Sequence, residues 1–127
     1  MPANLTNAEE RRLLDSSIDG TYLALFTADP TEAGTLTAEV AGGSYARQSV
    51  TWNPAATDGS NNTTKVPSAD IAFPTATADW GTITHVGIMS AATAGTMRWF
   101  GPLAVAKTIL SGDSISVPAA NAVVGLD

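Results

Sequence analysis

A lone histidine is the first place in this chain where chemistry could reside. His85 sits in "ADWGTITHVGIM", residues 78–89, among Trp80, Ile83, Val86 and Ile88. An imidazole acts as a general base when a nucleophile and an orienting carboxylate stand beside it, or ligates zinc alongside further His or Cys side chains. The sequence holds no second His, no Cys and no Gly-x-Ser-x-Gly elbow. His85 therefore reads as a strand residue hydrogen-bonded to a neighbour. Carboxylates come next. Asp29, Glu32 and Glu39 fall in one loop, and paired carboxylates can serve as acid and base or hold a cation. Asp29 directly precedes Pro30, which is ordinary turn chemistry. Asp58-Gly59-Ser60-Asn61-Asn62 hints at a calcium loop but lacks the alternating ligand register and the closing Glu. It reads as a polar turn.

The remaining motifs add no chemistry. Gly42-Gly43 is followed by no Lys-Ser/Thr pair and no helix start, so it is not a phosphate loop. Trp52, Trp80 and Trp99 could stack on a sugar if they were exposed together. Trp52 falls on the apolar face of its expected strand and Trp99 shares a face with Met97, so core packing is the reading. Asn4-Leu5-Thr6, Asn61-Asn62-Thr63 and Asn62-Thr63-Thr64 fit the glycosylation pattern, which matters only in a secreted eukaryotic protein. No catalytic, cofactor-binding or metal-binding residue is assigned. The expectation is a non-enzymatic binding or structural protein without a cofactor.

Bulk properties narrow the partners. With 127 residues the chain suits one domain, which buries roughly two-thirds of the surface its unfolded form exposes. The net charge is −6, and the basic residues are scattered apart from Arg11-Arg12. A nucleic-acid binder should carry a clustered basic face, so neither nucleic acid nor an anionic membrane is an expected partner. The polar N-terminus lacks the apolar core of a signal peptide. No run approaches the ~20 apolar residues that cross a bilayer. The chain reads as one made in a cytoplasm.

Which elements would position these residues? Thr6-Asn7-Ala8-Glu9 fits a capping box, so a helix is expected over 6–18, with Leu13, Leu14 and Ile18 as its apolar stripe and Gly20 as its stop. Its short connection points to packing beside the strand at 21–27. That strand, "TYLALFT", is apolar on both faces, as a central strand would be. "SYARQSVTW" (44–52) alternates, with Ala46, Val50 and Trp52 inward. Residues 53–64 read as a long polar turn. Further strands are expected at 66–73, 82–89, 96–103, 113–117 and 121–126. The architecture implied is all-β: a single domain over 1–127, with a helical segment at 1–20 and a β-sandwich or jelly roll at 21–127.

Four stretches then combine: "YLALFTADPTEAGT" (22–35), "GGSYARQSVTW" (42–52), "FPTATADWGTITHVGI" (73–88) and "SGDSISV…AVVGLD" (111–127). In this order and spacing the chain resembles a family of small tailed-bacteriophage virion proteins commonly labelled phage tail fibre proteins. The resemblance covers nearly everything from Gly20 onward. A fibre shaft is built from repeats or coiled coil, and this sequence has neither. The resemblance therefore implies a capsid decoration, or cement, protein on the capsid surface of the virion. The implied partners are the major capsid protein and two further copies in a homotrimer, with no small-molecule substrate. A tail or tail-fibre component acting in host attachment is the alternative.

Overall fold

Thr6 opens the only α-helix among the described residues, which in this computed structural model are 4–126. Helix α1 runs Asn7–Ile18. Thr6 Oγ1 accepts the Glu9 backbone N–H at 3.2 Å, the first half of the expected capping box. The Glu9 carboxylate turns to Arg12 instead of closing the box. Glu9 and Glu10 in the first turn suit the positive end of the helix dipole. At the other end the Asp19 N–H donates to Asp15 O at 3.0 Å, and Gly20 takes a φ of +77°. Leu14 and Ile18 are fully buried, as their i,i+4 spacing predicts.

The rest of the ordered secondary structure is β, with one 3-10 turn at Ala119–Asn121. The strands are β1 (Tyr22–Phe26), β2 (Gln48–Ser49), β3 (Ala56–Thr57), β4 (Thr63–Lys65), β5 (Ile71–Ala72), β6 (Gly81–Met89), β7 (Met97–Ile109), β8 (Ser116–Val117) and β9 (Val124–Leu126). They form small sheets in the orders β2-β1-β6-β7, β3-β4-β9 and β5-β8. The chain is thus mostly β with one helix. It divides into two units, one comprising residues up to Asp19, Thr51–Asp70 and those from Val117 on, the other Gly20–Val50 and Ile71–Ser116.

In the first unit α1 packs on β4, with β3 and β9 beside it. The expected partner was the strand at 21–27. The reason for the difference is polar: Thr63 and Lys65 on β4 are buried and find their partners on α1. Residues 53–64, read from sequence as turn, supply the β3–β4 hairpin, with Ala56 opposite Thr64 and Thr57 opposite Thr63. Asp58 closes that hairpin by accepting the N–H groups of Ser60 and Asn62 at 2.8 and 3.0 Å.

In the second unit β1 is central, antiparallel to both β2 and β6, and Leu23 to Phe26 are buried. Ala24, Phe26 and Met89 form a core that Leu36, Ala38 and Met97 extend. Gly87 on β6 is required by this packing, since a Cβ there would stand 2.9 Å from Phe26 Cε1. The expected strand at 44–52 shortens to Gln48–Ser49. Ala46 is exposed and the Arg47 side chain is buried, opposite to the simple alternation. Strand β7 is longer than the expected 96–103, reaching Ile109 with thirteen residues.

Candidate functional site

His85 lies on β6, opposite Phe26 of β1 and Pro102 of β7. Its Nδ1 is 2.9 Å from Thr84 Oγ1. The three loop carboxylates have separate roles. Asp29 Oδ1 accepts the Thr31 N–H at 2.8 Å, an Asx turn. Glu32 is exposed, and Glu39 is drawn into an ion pair with Arg47. Among the described residues, no three His, Asp or Glu side chains gather as a metal site would require.

The Glu39–Arg47 pair is the polar centre of its unit. Arg47 Nε and Nη2 donate to the two Glu39 oxygens at 2.7 and 2.8 Å, the forked geometry that fits guanidinium to carboxylate. Nη1 donates to the Ala91 and Ala94 carbonyls at 2.9 and 2.7 Å. Tyr45 Oη donates to Glu39 at 2.8 Å and accepts the Leu25 N–H at 3.0 Å. Burial pushes the Tyr45 hydroxyl well above the ordinary tyrosine range, and the Glu39 carboxylate adds to the shift. The ring is held by Phe73, stacked at 6.2 Å, and by Trp80, edge-on at 5.5 Å. Trp80 is buried and its Nε1 donates to Gly43 O at 2.9 Å. Gly43 needs its positive φ of +60°, and a Cβ there would stand 2.8 Å from Trp80 Nε1. These contacts tie the 39–47 loop to β1 and to the 91–94 turn.

In the other unit Lys65 is 1% exposed, yet its ammonium lies 2.5 Å from Asp15 and 3.0 Å from Asp19 and donates to Asn53 O at 3.0 Å. Glu10 accepts from Thr63 Oγ1 at 2.5 Å. Arg11 reaches Thr57 Oγ1 at 2.8 Å. Sequence reading did not find either polar centre. A Lys inside a Thr-rich stretch and an Arg in an alternating strand gave no signal distinguishing them from solvated charges.

The surface that differs from the rest is the outer edge of β7. This strand ends the four-stranded sheet, and among the described residues no strand lies beyond it. Met97 lies opposite Met89 and Trp99 opposite Ile88, so the irregularity between these pairs sets the two side chains on opposite faces of the sheet and not on the shared face expected from sequence. The ladder then breaks. Between the pairs Ile83–Lys107 and His85–Pro102, β6 advances two residues and β7 advances five. Leu103–Ala106 therefore bulge from the sheet, and Val105 is 71% exposed. "PLAVA" between Arg98 and Lys107 was the available signal, but nothing in its composition says that a strand continues through it.

Residues 13–125 match a family model described as Podophage GP4 fiber I protein gp80. No curated protein matches the chain. No helix among the described residues is long and apolar enough to cross a membrane. The family match takes in both units, from the middle of α1 to β9, so the chain belongs to the podophage GP4 fiber I protein gp80 family and is a phage structural protein of fibre type.

Proposed function

We propose that this chain is a non-enzymatic accessory protein of the phage particle, and that it decorates the assembled head. The observation that carries the accessory role is the family match across residues 13–125. The decoration reading draws on the element list: α1 has twelve residues and the other elements are short strands and one turn, with no coiled-coil stem among the described residues. A protein that binds only the assembled lattice stabilises it by mass action. Engagement as a homotrimer against the major capsid protein would raise the effective concentration at each further contact. The net charge of −6 opposes adhesion to packaged DNA. The sandwich or jelly-roll lineage expected from sequence belongs to the same proposal.

The family description favours a second reading, a tail-fibre component acting in host attachment. Copy number separates the two. In gels of purified particles a decoration protein approaches the abundance of the major capsid protein, and antibody labelling falls on heads. A fibre component is present at a small fraction of that level and labels tails. Absence from the particle altogether would overturn both.

A further inference from the structure

We infer that α1 is an acid-released latch: as its carboxylates protonate, the first unit opens while the second stays folded. The first unit has little apolar core to hold it shut. Among the described residues its buried apolar side chains are Leu14, Ile18, Ala55, Val117 and Val124, none of them aromatic. The second unit buries Phe26, Phe73, Trp80 and Met89 along with most of the remaining apolar core. Apolar burial is the main force that keeps a folded region closed. The first unit therefore has the smaller opening free energy, the property of a region that opens locally ahead of the whole. What it buries instead is polar: Glu10, Thr63 and Lys65.

The charges at this interface are divided unequally. The carboxylates come from α1 and its cap: Glu10 accepts from Thr63, Asp15 from Lys65 and the Ala55 N–H, and Asp19 pairs with Lys65. Lys65 is the charged residue on the strands packed against the helix, since β3 and β9 carry none. The other helix charges are engaged elsewhere, Glu9 with Arg12 and Arg11 with the Thr57 hydroxyl. Acid thus acts on one side of the interface. A protonated Glu10 can still hydrogen-bond Thr63. Protonated Asp15 and Asp19 cannot neutralise the ammonium, which keeps the Asn53 carbonyl, and a buried charge without a counterion destabilises the closed form. Both aspartates are partly exposed, so protons reach them without prior opening. Asp15 contributes fully above its unfolded pKa, and the contribution is lost as pH falls through its depressed folded value. In the second unit Arg47 is better provided for, because with Glu39 protonated it keeps the Ala91 and Ala94 carbonyls. Opening uncovers Leu14, Ile18 and the Thr63–Lys65 face of β4, which the closed form withholds from any partner.

The test is hydrogen exchange of the full-length protein, read segment by segment at about pH 7 and about pH 3 and corrected for the intrinsic exchange rate. Amides of α1 and β4 should exchange through a more frequent opening than those of β1 and β6. Acid should raise that opening about tenfold or more while β1 and β6 keep their protection. Lys65→Met removes the buried charge and should abolish most of the acid response. Asp15→Asn should open the first unit about tenfold more often already at pH 7, which keeps the test decisive if Lys65→Met does not fold. Equal protection of both units at both pH values would overturn the inference, because the chain would then open only as a whole. An acid response that survives in Lys65→Met, or a wild type whose first unit opens equally often at both pH values, would overturn it as well, since the latch would not be this ion pair.

Discussion

Lys65 Nζ lies 2.5 Å from Asp15 Oδ1, and the two ends of this pair differ: the lysine side chain is 1% exposed, the aspartate side chain 39%. The asymmetry predicts which substitution costs more. Asp15→Ala strands part of a buried positive charge, leaving Asp19 and the Asn53 carbonyl as its partners, and removes the acceptor of the Ala55 N–H. A loss of about 1–3 kcal/mol is expected, below the full cost of orphaning a buried charge because Asp19 remains. Lys65→Met removes the buried charge while keeping the volume, and the carboxylates it leaves reach water. Its expected cost is less than about 1 kcal/mol. Chemical denaturation of the two variants decides the order, and a costlier Lys65→Met would refute the argument.

The same pair sets a pH dependence. The hydrogen bond from Lys65 holds the Asp15 carboxyl below the usual aspartate range, helped by the Ala55 N–H. Its contribution is complete above an unfolded pKa of about 4 and is lost as pH falls through the depressed folded value. Burial alone would lower the Lys65 ammonium, but its hydrogen bonds to Asp15 and Asp19 outweigh this and raise it. That contribution is complete below an unfolded pKa of about 10.4 and is lost as pH rises through the raised folded value. Melting temperature should be flat from about pH 5 to 9 and fall on either side. Asp15→Asn should flatten the acid limb, and an unchanged acid limb would assign it to other groups.

Part of this molecule was legible in its sequence. The helix could be read because its cap, apolar spacing and stop agree: Thr6, Leu14 with Ile18, and Gly20 all act where expected. β1 could be read because a continuous apolar run permits few other placements, and β6 because Ile83, Val86, Ile88 and Met89 mark a strand between turn signals. The β3–β4 hairpin could not, since its stability comes from Thr63 and Lys65 meeting α1, a pairing separated by about fifty residues. Arg47 inverted its strand's alternation because four acceptors from distant segments converge on it. The β7 bulge escaped for a related reason. Pro102 signals an end to a central strand, but on an edge strand the missing N–H costs nothing and pairing resumes at Lys107.

His85 should be dispensable. Its Nδ1 meets the neighbouring Thr84 hydroxyl, and the residue is half-buried. Gln can keep a hydrogen-bonding group at that position. His85→Gln should leave particle incorporation and infectivity near wild type, with a stability loss below about 1 kcal/mol. A collapse of infectivity in a variant that melts normally would instead give the imidazole an active role.

Removal of the helix tests how the first unit is held together. Twelve residues are marginal for an isolated helix in water, and a cap worth about 1 kcal/mol does not offset the ordering entropy. Helix α1 persists because Leu14 and Ile18 are buried and because Glu10 and Asp15 meet Thr63 and Lys65. The dependence runs both ways. Without α1, β4 would present a charged Lys65 and a buried Thr63 that have lost those carboxylates. The sheet β3-β4-β9 is small, with two to three residues per strand, and such short strands need packing against another element. Deleting residues 1–18 should therefore lower the melting temperature, raise binding of an apolar dye and abolish hydrogen-exchange protection at Thr63–Lys65. A truncated chain that melts like the full-length protein but fails to join particles would show that the helix serves as an arm for a partner, and that the packing described here is dispensable.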